Sequence, residues 1–263
     1  MTLFTSSSLA NLYRQNAFAI FDKCFQVKAG HIGGSLSLSQ FLLPILLHSI
    51  SHDYFAYTKL ILSKGHASLG LYSLLKVLDI THIPYDNYCS LAPDSYHGHT
   101  CKTAHELIAH STGSLGHGLP FSLGLAKANY LQGSREHLIC VLGDGELQEG
   151  TFFETLLHLL DNKHLNLTII IDDNSSIDSS TVNACSLLSS LVPFLQTYDC
   201  SSFGELVELS YSSFNPGLNF IRCITNKYFG LPESFHDPKW HASVPTFDEL
   251  QFMKSNFISA FKS

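Results

Sequence analysis

Strand-like segments alternating with helix-like ones predict an α/β fold, a doubly wound parallel sheet flanked by helices. Three observations carry this. Residues 138–142 and 167–171 are short apolar runs containing β-branched residues, and each stops at a polar turn, Gly143-Asp144-Gly145-Glu146 and Asp172-Asp173-Asn174. Such runs read as buried parallel strands. The stretches between them carry apolar residues at helical spacing. No internal repeat and no strong linker interrupts the chain, so residues 1–263 are read as one domain, long enough to bury a substantial core.

In chain order, residues 8–27 show the apolar spacing of a helix, and 37–50 form a second, more apolar one. Residues 59–63 read as a strand and 67–78 as the helix after it. Residues 80–110 form a long polar connection rich in His, Pro and Tyr, a type of loop usually kept for function. A helix over 116–131, the strand 138–142, a helix over 146–160 and the strand 167–172 follow. The Ser-rich piece 175–190 reads as loop by composition. Strands are expected at 194–199 and 219–224, and a last helix at 246–261 with Thr246 as its N-cap.

Composition narrows the function classes. Lys and Arg number 15 against 22 Asp and Glu, a net charge of −7, and the basic residues do not cluster, which argues against nucleic acid. Charged residues are only 14% of the chain, which fits a surface partly covered by other subunits. The longest apolar run, residues 41–47, is too short for a bilayer and contains Pro44. The first residues lack the basic region of a signal peptide. Seven dispersed cysteines without a Cys-x-x-Cys pair read as reduced thiols, and the expected location is cytoplasmic.

Two neighbouring parallel strands ending in Asp144 and Asn174 would bring two side-chain oxygens to one carboxyl edge, where open α/β sheets bind ligands. Magnesium takes a few protein oxygens together with phosphate oxygens. The pair therefore points to a magnesium-bound diphosphate, the alternative being a plain strand-to-helix turn with Asn174 as a cap. His97, His99, Cys101, His105 and His110 fall within one segment, but their spacing matches no zinc finger.

Seven motifs then occur in order over residues 10–245: Gly30-His-Ile-Gly-Gly-Ser-Leu-Ser37; Leu62-Ser-Lys-Gly-His-Ala67; Gly98-His99; Ser111-Thr-Gly-Ser-Leu-Gly116; Gly143-Asp-Gly-Glu-Leu-Gln-Glu-Gly150; Asn174; and Pro238-Lys-Trp-His241. Together they resemble the N-terminal, diphosphate-binding half of transketolase, especially the split form whose halves are separate subunits. The resemblance implies thiamine diphosphate and Mg2+ (Ca2+ or Mn2+ as substitutes), with Asp144, Asn174 and the Ser176 carbonyl as metal ligands. It implies cofactor contacts from His66, Gly113, Ser114, Leu115, Gly116, Gly143, Asp144, Gly145, Glu146, Asn174 and His241. Of the catalytic set His31, His66, His99, His241 and Glu149, it places His66 and His241 near the diphosphate. His31 and His99 would face the donor sugar, and Glu149 would meet a cofactor-activating Glu of the other half. No segment here resembles that pyrimidine-binding half. The implied assembly is an α2β2 heterotetramer that moves a two-carbon ketol unit between sugars. Acyloin or deoxyxylulose phosphate formation is the enzymatic alternative, and a degenerate scaffold subunit the non-catalytic one.

The chain also departs from the family pattern. His117 replaces a usual Gln. The loop after Asn174 is one residue short. Residues 187–200 are abbreviated, with loss of much of a helix expected. Asn226-Lys-Tyr-Phe-Gly230 replaces a Lys-Gly-Lys-Gly loop.

Overall fold

A computed structural model describes residues 4–81, 84–90, 92, 95–174, 184–237, 240, 243–258 and 261–262. The first helices are α1 (Ser6–Val27) and α2 (Ile32–Ser51), followed by strand β1 (Thr58–Leu62) and helix α3 (Ser68–Val77). After the long connection come α4 (Gly118–Leu131), β2 (His137–Gly143), α5 (Gly150–Leu160) and β3 (Leu167–Asp173). The chain continues through α6 (Ala184–Leu191), β4 (Gln196–Asp199), α7 (Phe203–Ser212), β5 (Leu218–Ile224) and α8 (Phe247–Ser255). The five strands form one sheet in the order β1-β2-β3-β5-β4. Every neighbouring pair is parallel, with Leu62 opposite Val141, Gly143 opposite Asp172 and Asp173 opposite Ile224.

Side chains alternate between the two faces of the sheet, as strand geometry requires. Leu60, Leu62, Ile139, Val141, Ile170, Ile221 and Cys223 join the core that holds α1, α2, α3, α7 and α8. Ile61, Leu138, Cys140, Leu142, Ile169, Ile171 and Phe220 join the core under α4, α5 and α6. Both faces are thus covered, which is why the strands read as continuous apolar runs. Among the described residues α2 alone is long and apolar enough to span a bilayer, yet 94% of its apolar window is buried against the rest of the protein.

The doubly wound parallel sheet agrees with expectation; several boundaries do not. Helix α2 starts at Ile32, five residues before the expected 37, because Gly33, Gly34 and Ser35 pack inside the core rather than forming a loop. The expected helix at 146–160 is split. Residues Asp144–Gln148 form a 3-10 turn, and α5 begins at Gly150 with Glu149 as its extended N-cap. Helix α4 begins at Gly118, because Gly116 has φ +76°, a left-handed conformation outside any helix. Part of the presumed Ser-rich loop is helical: Ala184–Leu191 turns the buried Ala184, Cys185 and Leu188 to the core. The remainder, 175–183, lies outside the described residues. Helix α8 stops at Ser255, and its Thr246 cap is a full capping box with Glu249.

The long connection is anchored rather than loose. Its end runs parallel to β1: Leu60 N–H donates to the Leu107 carbonyl (2.7 Å) and Ala109 N–H to the Leu60 carbonyl (2.9 Å). That seals the β1 edge and leads residues 111–116 across the carboxyl end of the sheet.

Candidate active site

The carboxyl ends of four strands supply the site. Ser63, Lys64 and His66 follow β1, residues 143–146 lie at the end of β2, Asp172, Asp173 and Asn174 at the end of β3, and Thr225 and Lys227 follow β5. A cavity of about 220 Å³ opens there, lined by Gly34, Lys64, His66, Leu115, Gly143, Asp144, Gly145, Glu146, Asn174 and Lys227. Asp144 and Asn174, paired from sequence alone, share this wall.

Asp144 is only 4% exposed, and its Oδ1 accepts the Gly145 N–H at 2.9 Å. The Asn174 carboxamide donates to Ser37 Oγ at 3.3 Å. Beneath them lies a buried ion pair, Lys64 Nζ on Asp172 Oδ2, with side chains 1% and 0% exposed. Asp172 also accepts from Ser37 Oγ at 2.7 Å and from Thr225 Oγ1 at 2.5 Å. Both its oxygens are therefore occupied, as a buried carboxylate requires. Asp173 turns away and takes the Arg222 guanidinium at 2.5 Å. Lys227 has no ion pair with a described carboxylate. Its stem lies across Gly33, where a Cβ would stand 3.3 Å from the Lys227 Cβ. Burial holds its ammonium below the usual lysine range, Asp144 opposes this, and Lys64 adds to it.

Glu146, expected to contact the cofactor, lines the cavity, and its carboxylate is bonded within the protein. Oε1 accepts from Ser63 Oγ (2.5 Å) and the Gly116 N–H (2.9 Å), and Oε2 from the Gly143 N–H (2.9 Å). Burial raises its pKa, against the pull of Ser63, the two amides and Lys64. Residues 113–116, expected to contact the cofactor, precede helix α4. The segment is a loop, Gly113, Ser114 and Leu115 are exposed, and the Gly116 amide is already used. Of these four only Leu115 reaches the cavity wall. A Cβ on Gly116 would come within 2.6 Å of Thr151 Oγ1 and 2.8 Å of Glu149 Cβ, so only glycine fits.

The four histidines divide. His66 lines the cavity, and His31 packs its ring edge-on at 5.2 Å between centroids. His99 is exposed beside Gly113 and does not line the cavity wall. His241 and Ser176 lie outside the described residues. Glu149 is exposed at the start of α5 and does not line the cavity. The residues weighed for zinc serve other ends: His105 Nε2 bonds the Ile80 carbonyl at 2.7 Å, and His110 stacks on Phe121 at 3.7 Å.

Sequence reading missed Lys64, Asp172, Ser37 and Lys227 as parts of one site. The first three stood inside quoted motifs, but only the fold shows that they meet.

The donor set suits a hard cation. Asp144 and Asn174 offer one carboxylate and one carboxamide oxygen, and no group of three His, Cys, Asp or Glu forms a closed cage among the described residues. Such a pair leaves positions for phosphate oxygens and water, which is the way magnesium is held on nucleotides and diphosphates.

Comparison with known proteins points the same way. Residues 95–211 match the family described as 1-deoxy-D-xylulose-5-phosphate synthase. One subunit of the apulose-4-phosphate transketolase of Actinobacillus succinogenes is 29% identical over 242 residues, covering 84% of this chain and 85% of that one. Its counterpart in Phocaeicola vulgatus is 26% identical over 253 residues, covering 90% and 89%. The chain is similar to the N-terminal, thiamine-diphosphate-family subunits of the transketolase type. The transketolase-type fold extends to solved structures. The transketolase of Leishmania mexicana superposes with a TM-score of 0.71 at 20% identity, over 96% of this chain and 41% of its own. That of Campylobacter jejuni gives 0.70 at 23%, over 95% and 42%. The chain thus spans about two fifths of those enzymes and most of the two apulose-4-phosphate transketolase relatives.

Proposed function

We propose that this chain binds thiamine diphosphate and a divalent cation, Mg2+ in the first place. With a separate pyrimidine-binding subunit it would transfer a two-carbon ketol unit between sugar phosphates. The observation that carries the reading is the shared cavity wall of Asp144 and Asn174, faced by Lys64, Lys227 and His66. A diphosphate is strongly anionic, and the Lys227 ammonium, the imidazole and a bound cation would balance it, Lys64 being paired with Asp172. When bound, the cofactor supplies a carbanion-stabilising ylid. Asp144, Asn174 and the Ser176 carbonyl would hold the cation, and His66 and His241 the phosphate oxygens. His31 and His99 would accept and return protons at sugar hydroxyls, an acid–base role open to an imidazole.

The cavity's size supports a second subunit. At about 220 Å³ it is smaller than the roughly 300 Å³ at which small-molecule pockets usually begin. It suits the diphosphate end and leaves the ring system to another wall. Exposed Leu115, at 44%, and exposed Glu149 stand on that open side. Two copies of each half, in a cytoplasmic heterotetramer, complete the proposal. Deoxyxylulose phosphate formation is a second reading, favoured by the match over residues 95–211. The near full-length likeness to the two apulose-4-phosphate transketolase proteins favours ketol transfer. The test is an assay of ketol transfer with thiamine diphosphate and Mg2+, using the chain alone and with a pyrimidine-half partner. Activity should need both, and full activity of the isolated chain would refute the split-enzyme reading.

A further inference from the structure

Under the cavity wall, Ser37 links Asn174 to the buried ion pair. It sits in the second turn of α2, fully buried, below the ends of β1 and β3. A hydroxyl has one proton to give and two lone pairs to receive with. The Ser37 proton has two acceptors in reach, Asp172 Oδ2 at 2.7 Å and the Gly34 carbonyl at 3.1 Å. Asp172 takes the Lys64 ammonium on the same oxygen and the Thr225 hydroxyl on the other, so it offers Ser37 only lone pairs. Whichever acceptor takes the proton, Ser37 meets Asn174 with a lone pair. Asn174 must then turn its NH2 group to Ser37, the contact found at 3.3 Å. The orientation of a carboxamide is fixed by such a network and not by its shape. With the NH2 group committed to Ser37, the carbonyl oxygen is the atom of Asn174 suited to a cation, and Asn174 lines the cavity together with Asp144.

We propose that Ser37, held in polarity by the Lys64–Asp172 pair, is a positioning residue that presents the Asn174 carbonyl oxygen to a divalent cation. The proposal rests on the cation–diphosphate reading of the cavity. It goes beyond it by giving the buried ion pair a purpose: it decides which end of Asn174 the cation meets.

The test uses the full chain, with Mn2+ and inorganic pyrophosphate as probes and free Mn2+ counted by electron paramagnetic resonance. Ser37→Ala removes the acceptor and should weaken Mn2+ binding about 10- to 100-fold, the range found when groups orienting a metal ligand are lost. Ser37→Thr keeps the hydroxyl and should restore binding. Ser37→Cys fills the space with a poor acceptor and should lose affinity as Ala does, which keeps the test decisive if the Ala variant does not fold. In an Asn174→Ala background, Ser37→Ala should change nothing further, since its path to the cation is gone. Wild-type affinity in Ser37→Ala or Ser37→Cys, or an equal loss in both backgrounds, would overturn the proposal. No Mn2+ uptake by the wild-type chain with pyrophosphate would instead overturn the reading of the cavity itself, and the proposal with it.

Discussion

The Gly116 N–H donates to Oε1 of Glu146 at 2.9 Å and so ties the loop crossing the site to the turn that carries Asp144. Three donors converge on this one buried carboxylate. Glu146→Ala leaves all three without it and should destabilise the chain by about 3 kcal/mol or more, since each abandoned buried donor costs roughly 1–3 kcal/mol. Glu146→Gln keeps one acceptor oxygen and should cost less. Urea unfolding followed by circular dichroism gives both numbers. Equal stability of wild type and Glu146→Ala would deny this carboxylate its structural role.

Asp144→Ala and Asn174→Ala should each strongly weaken Mg2+-dependent binding of thiamine diphosphate. Each removes one hard oxygen from a cation that accepts few substitutes. Calorimetry of each variant, mixed with the pyrimidine-binding partner, checks this. Unchanged affinity in both would remove the metal assignment.

Lys227→Met should weaken pyrophosphate binding about tenfold or more at low salt, because an ammonium–phosphate contact contributes roughly 1.5–3 kcal/mol. Thiamine without phosphates should bind both forms alike. An equal loss for thiamine would mean that the methylene stem on Gly33, not the charge, matters.

His31→Ala and His99→Ala should lower turnover more than cofactor affinity, since their proposed contacts are to reacting sugar atoms. Steady-state kinetics beside cofactor titration separates the two. A large and equal loss of cofactor binding would move both onto the diphosphate.

Away from the site, burial pulls the His137 imidazole down to about 4, while it bonds Thr168 Oγ1 at 2.9 Å. In the unfolded chain it titrates near 6.5. Between those values the unfolded state binds the extra proton, so stability is complete above about pH 6.5 and falls as pH drops toward 4. At pH 5 the loss should be about 2 kcal/mol, at 1.4 kcal/mol per pH unit. Urea midpoints at pH 7 and pH 5, compared with those of His137→Phe, which lacks this group, measure it. An identical pH dependence in the variant would assign the effect to other groups.

The sheet was legible because buried parallel strands are written as short apolar runs ending at polar turns, and residues 138–142 and 167–171 could hardly read otherwise. Asp144 and Asn174 were legible because each is the last polar statement of such a run. The segment 113–116 misled because three small residues suggest a helix start, while the positive φ of Gly116 and the claim of Glu146 on its amide depend on tertiary neighbours. Helix α6 was hidden by serines that only its buried Cys185 and Leu188 outweigh. Ser37, Lys64 and Asp172 lie on different elements and meet only once the sheet has formed.

The strand order gives the chain a timetable. Among the described residues β4 pairs with no strand but β5, and β5, made after it, inserts between β3 and β4. Until Leu218–Ile224 is in place, β3 keeps a bare edge of the kind that invites aggregation. The cavity also lacks its Thr225 and Lys227 side. One strand, synthesised late, thus closes the edge and finishes the anion cradle together. A chain that binds pyrophosphate would, by that fact, have set β5 into the sheet.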